Sequence, residues 1–357
     1  MSELPAAAAE LEITEAWTAD APTGGRVLDV AYADIDGRAA AVAVTADALL
    51  AWDLDSAEPI LRAAVPEPGP RRQATELCRV AVTDGADGPV AVTGDDAGGL
   101  QAWDLRSGER LRGRFGEYGR LRELAARQGA GAGRVLVARG AGASSSVYAN
   151  PVGDGLVELW GVGLEPRVKS LPHGGFSVAV AVGEHDGRAL AVVSAEYSMR
   201  PLIDSSDAEG KAYLWDLETG GQVGEVLLPV REGDLIGSVA VGAVDGRTLV
   251  VGVSNGLSVW EIGRPGSRPH STVRPPGRID ALAWTGGPDR PLLLAGGGGP
   301  RMQDRSRLQV WDARDWRLLG EARPGWGTLN RLAAAPDARV IVPWNQAVRV
   351  LRYRVAD

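Results

Sequence analysis

Side chains capable of chemistry are sparse in this chain. Its three histidines, His173, His185 and His270, lie far apart, and none has a companion at metal-ligand spacing. His185 falls in the turn Glu184-His185-Asp186-Gly187, and the other two fall in Pro/Gly-rich connections. Gly252-Val253-Ser254-Asn255-Gly256 has the Gly-x-Ser-x-Gly spacing but reads as the short strand connection of the fifth unit, with no helix pattern after it to make a nucleophile elbow, and there is no phosphate loop. The run Gly296–Gly299 leads into Pro300 and Arg301 rather than a helix pattern whose N-terminus could hold an anion, so it reads as a loop. Glu196, Asp204, Asp207 and Asp304 are the acid/base candidates, but carboxylates in glycine-rich loops are more often simply solvated. No metal and no cofactor is expected.

The elements that would position such residues announce themselves by repetition. Leu-Leu-Ala-Trp-Asp-Leu at 49–54 returns as Leu-Gln-Ala-Trp-Asp-Leu at 100–105, Ala-Tyr-Leu-Trp-Asp-Leu at 212–217 and Leu-Gln-Val-Trp-Asp-Ala at 308–313. Val-Glu-Leu-Trp-Gly at 157–161 and Leu-Ser-Val-Trp-Glu at 257–261 are degenerate copies, and Leu351 takes the tryptophan slot in Val-Arg-Val-Leu-Arg at 348–352. Upstream of each stands a small apolar pair: Val30-Ala31, Val80-Ala81, Leu124-Ala125, Val180-Ala181, Val239-Ala240, Leu282-Ala283 and Leu332-Ala333. A tight turn follows most pairs, as in Asp36-Gly37-Arg38, Asp186-Gly187-Arg188 and Asp245-Gly246-Arg247. Asp-Gly between apolar runs marks a hairpin, because glycine accepts the positive φ the turn needs. Each unit therefore reads as a four-stranded antiparallel meander, and there are seven such units.

This pattern resembles the WD-repeat (WD40) propeller family over about residues 11–355. The resemblance implies an all-β, seven-bladed β-propeller of four-stranded antiparallel blades, forming one domain over residues 11–357. The Gly-His dipeptide that opens the family's repeat is missing from every unit, so the family's buried His–Ser/Thr–Asp–Trp network is not available. The last unit lacks a fourth strand, and the alternating segment Leu11–Thr18 is expected to supply it and close the ring. The alternative is a frayed arm. Residues 1–10 read as a disordered leader.

Composition sets further bounds. A net charge of −8 argues against a nucleic-acid surface, which needs a clustered positive footprint. No apolar run is long enough to span a bilayer and no signal peptide is visible, so no membrane contact and a cytoplasmic location are expected. Arginine replaces lysine almost everywhere, Lys169 and Lys211 apart, and Ala and Gly are abundant. That bias suggests a GC-rich bacterial genome, plausibly actinobacterial. The lone Cys78 reads as a small buried hydrophobe.

What departs from the repeat is loop length. Connections between second and third strands are expanded at Arg139–Gly155, Ala195–Lys211 and Gly296–Arg307, and should share one face. They carry Tyr148, Tyr197, Met199, Arg200, Arg301, Met302 and Arg305, residue types that anchor interfaces. The sequence thus points to a monomeric, non-catalytic scaffold or sensor that binds a protein partner there. The rival reading is a propeller enzyme or small-ligand binder over the central channel.

Overall fold

The computed structural model describes residues 11–22, 24–65, 76–114, 121–127, 134–139, 156–168, 171, 176–198, 208–231, 234–286, 289–298, 305–325 and 329–355. Within them, antiparallel sheets succeed one another along the chain and form a β-propeller, each inner strand lying beside the next around a ring. Four-stranded blades span 29–64, 77–114, 121–168, 239–273 and 278–322. A sixth combines 333–355 with Leu11–Asp20, which pairs in antiparallel register with Ala347–Val355 from Leu11↔Val355 to Asp20↔Ala347.

The expectation of seven four-stranded blades is corrected: the structure has six, not seven. The remaining sheet has three strands, Phe176–His185, Arg188–Ser198 and Ala208–Asp216. The physical reason lies just downstream. After Asp216 the chain meets Ala208–Asp216 at the isolated bridges Trp215↔Gln222 and Ala212↔Leu227, with Val223 N–H donating to Leu214 O (2.8 Å) between them, and no continuous ladder forms. Gly224 between them is left-handed, at φ 66°, and Pro229 has no N–H to give a ladder. The segment then leaves the sheet for the adjacent blade, where Leu228 N–H donates to Ser267 O (2.8 Å) and Arg268 Nη1 donates to Pro229 O (2.5 Å). Edge groups of Ala208–Asp216 are still satisfied, since Gly210 N–H donates to Asp234 O and Ala212 N–H to Leu227 O.

The repeat residues behave as packing residues. Trp52, Trp103, Trp160, Trp215, Trp260 and Trp311 are all buried, as is Leu351 in the equivalent slot. Each indole packs on the preceding sheet: Trp103 joins Val42, Leu49 and Leu61, for example, and Trp52 joins Ile341 and Val350. The second strand of a unit is covered on both faces, which is why Arg38–Val44 runs Ala-Ala-Ala-Val-Ala-Val without alternation. The Trp-Asp aspartate is a turn-former. Asp104 Oδ1 accepts from the N–H groups of Arg106 (2.7 Å) and Ser107 (2.9 Å), and Asp53 and Asp216 repeat the arrangement. Trp103 Nε1 donates to Thr93 Oγ1 at 2.9 Å. The Asp-Gly turns at Asp36-Gly37, Asp186-Gly187 and Asp245-Gly246 have both residues at positive φ, as at Asp36 (55°) and Gly37 (80°).

Candidate functional site at the mouth of the central channel

One residue stands immediately before each small apolar pair, where the inner strand begins. In order these are Asp29, Arg79, Glu123, Ala179, Ser238, Ala281 and Arg331, and all of them line one cavity of about 720 Å³ at the ring's axis. Inner strands converge there, so a single position per unit becomes a collar. Four of the inner strands also carry a β-bulge close by, which leaves Cys78, Arg122, Val178 and Asp280 unpaired in the ladder. A bulge re-aims side chains, and Arg122 and Asp280 both reach the cavity.

The collar's charges pair across the ring. Arg331 Nη1 lies 2.8 Å from Glu123 Oε2, joining the last blade to the third unit on the other side of the axis. Its Nε lies 3.8 Å from Asp29 Oδ1. Arg79 approaches Glu123 Oε1 at 3.6 Å and donates to the carbonyls of Arg122 (2.9 Å) and Cys78 (2.6 Å). Asp29 accepts from the N–H of Val30 and, across the blade boundary, from Val80, both at 3.0 Å. Ser238 does the same job between the fifth and sixth units, its Oγ accepting from Leu282 N–H at 3.1 Å. Burial pushes the Asp29 carboxyl up to about 6 and Glu123 adds to this, against the pull of Arg331. Burial opposes the charge on Arg331, but Glu123 and Asp29 outweigh it and hold the guanidinium above its usual range.

The charges of Asp29, Glu123, Arg79 and Arg331 compensate one another here. Both oxygens of Asp29 already accept hydrogen bonds, and among the described lining residues no histidine or cysteine stands beside Ser238 or Ser254 to activate a hydroxyl. Among the described residues no group of three or more His, Cys, Asp and Glu could hold a metal ion. His185 Nδ1 sits 3.0 Å from Thr248 Oγ1, a contact between neighbouring units. His270 is exposed, and partial desolvation together with Arg264 lowers its pKa.

Of the interface residues expected from sequence, Tyr148, Met199, Arg200, Arg301 and Met302 lie outside the described residues, as do Asp204, Asp207, Asp304 and His173. Tyr197 belongs to a strand, opposite Glu209, and Glu196 stands opposite Phe176 and Gly210. Ala195–Ser198 and Ala208–Lys211 therefore continue a ladder where a loop was expected. Arg305 is exposed. The collar went unread because its residues share a position and not a type: the signal was the residue preceding each apolar pair, charged in four units and small in three.

No protein-family profile matches the chain, and no curated protein matches it by sequence. Solved structures do. The chain is similar to U3-55K with a TM-score of 0.64 at 13% identity, covering 97% of this chain and 99% of that one. It is similar to the RRP9 WD40 repeats with a TM-score of 0.64 at 15% identity, covering 96% and 100%. At this identity the likeness shows the fold: the backbone is arranged as in a WD40-repeat propeller.

Proposed function

We propose that this propeller is a non-catalytic scaffold that holds a protein partner on the face containing the channel mouth. The observation that carries this reading is the collar itself. A repeated position is filled by unlike residues around an open cavity, charged in four units and small in three, although packing asks only for repetition there. Inner strands begin at this face, and second strands end there, as Val253 and Ser254 do at the cavity wall. The reading assigns Tyr148, Tyr197, Met199, Arg200, Arg301, Met302 and Arg305 to the rim of the same face, Tyr197 at the end of strand Arg188–Ser198 and the others on segments that follow second strands in the sequence. The absence of an activated nucleophile among the described lining residues supports binding over catalysis.

The test is capture of a partner by the purified chain, with cross-linking to locate it. Tyr197→Ala with Arg200→Ala should abolish capture while shifting the melting temperature by no more than a few degrees. Capture that survives this change, and is lost on altering Asp36–Arg38 and Asp245–Arg247, would put the working surface on the opposite face.

A further inference from the structure

The channel mouth sorts its charges by depth. Side chains of Asp29, Glu123 and Asp280 are only 8%, 13% and 13% exposed, whereas those of Arg79, Arg331 and Arg278 are 22%, 25% and 71% exposed. Arg122, set out of the ladder by its bulge, is exposed as well. The carboxylates therefore lie beneath the guanidinium groups, and what solvent meets is mainly N–H donors. Arg278 reaches Asp280 through Nε (2.6 Å), an edge-on bond made by one of its three nitrogens. Exposed Arg274 lines an adjoining cavity with Arg278, extending the basic rim outward. All this occurs on a chain whose net charge is −8. A positive patch maintained against that background selects for negative partners.

We propose that the mouth receives an acidic segment of a protein partner, with Arg122 and Arg278 gripping its side-chain carboxylates. The inference rests on the scaffold reading and names the partner's chemistry. Guanidinium forks match carboxylates bidentately, which favours this pairing. A peptide is favoured over RNA because no aromatic side chain is found among the described lining residues to stack a base.

Fluorescence anisotropy on the full chain tests it with four probes: a labelled peptide of alternating Glu and Ala, its Lys-Ala counterpart, a labelled oligouridine, and inorganic phosphate as competitor. The Glu-Ala peptide should bind tightest, weaken with added salt, and lose at least about tenfold in affinity in Arg122→Glu/Arg278→Glu. Should that double variant fold poorly, Arg122→Gln/Arg278→Gln gives the same comparison with less repulsion. Preference for the Lys-Ala peptide or the oligouridine, efficient displacement by phosphate alone, or unchanged affinity in the variants would overturn the inference. Failure here, alongside partner capture that depends on Tyr197 and Arg200, would sink the acidic-segment inference and leave the scaffold standing.

Discussion

The two ends of the ring carry charge in contrasting ways. At the end opposite the channel mouth, ion pairs recur in register. Arg106 clasps Asp36 of the preceding unit through Nε (2.8 Å) and Nη2 (2.5 Å), while Nη1 donates to Asp87 O. Arg314 repeats the clasp on Asp245 (3.2 Å) and Asp289 O (2.8 Å). Both are exposed, and both link the turn after a Trp-Asp strand to Asp-containing turns of its own and the previous unit. At the mouth the pairs are aperiodic: Arg331 crosses the axis to a largely buried Glu123, whereas Arg79–Glu123 and Arg331–Asp29 join neighbouring units. What recurs once per unit in a repeat fold serves the stacking of units. What breaks the recurrence at a fixed position serves something particular to this protein.

The comparison can be broken most sharply at Glu123. Glu123→Ala leaves Arg331 and Arg79 without their shared carboxylate and should cost about 3–5 kcal/mol in urea unfolding, as expected when one partner of a buried pair is removed. A loss below about 1 kcal/mol would mean the mouth network is no more than another surface pair.

Next comes pH. Asp29 has its folded pKa raised to about 6 from 3.8, so the native state holds its proton more tightly than the unfolded chain. Stability from this group is complete below the unfolded value and is lost as pH rises through about 6, a swing on the order of 3 kcal/mol. Asp53 and Asp216 are lowered chiefly by backbone hydrogen bonds. Asp104 is lowered as well, hydrogen bonds from Ser107 and Arg106 outweighing its burial. Their stabilisation is present above 3.8 and fades as pH falls through their folded values. Melting temperature should therefore peak between about pH 4 and 5 and decline toward pH 7. A curve rising steadily from pH 4 to 7 would contradict the burial of Asp29.

Smaller effects belong to the periodic parts. Asp104→Ala removes the acceptor for two backbone N–H groups in a half-exposed turn, and should cost about 1 kcal/mol by chemical denaturation. Arg106→Ala or Arg314→Ala should leave the melting temperature within experimental error, and 1 M NaCl should erase any residual difference. A large effect there would show the exposed clasps to be more than local glue.

Much of the fold was legible because its signals are local. Asp-Gly turns fix strand reversals through positive φ at adjacent residues, and the tryptophan recurs where a large flat side chain can fill the wedge between successive sheets. The missing fourth strand was not legible. Gly224 and Pro229 read as ordinary loop residues, and only the tertiary structure shows Leu228 and Pro229 bonding to Ser267 and Arg268 of the next unit where a continuous ladder would otherwise run on. The strand extensions at Ala195–Ser198 and Ala208–Lys211 were hidden too, since polar residues there mimic a loop while pairing as a ladder.

By itself, then, the sequence determined the all-β repeat, the hairpin turns and the buried indoles, because these follow from side-chain period and backbone φ within a few residues. Only the tertiary structure decided that Arg331 would meet Glu123 and that Asp29 would sit buried beneath them. Those residues are distant in the chain and carry no shared motif. Closure of the ring brings one position per unit to a common axis, and charge pairing and desolvation are settled there by geometry that no local pattern encodes.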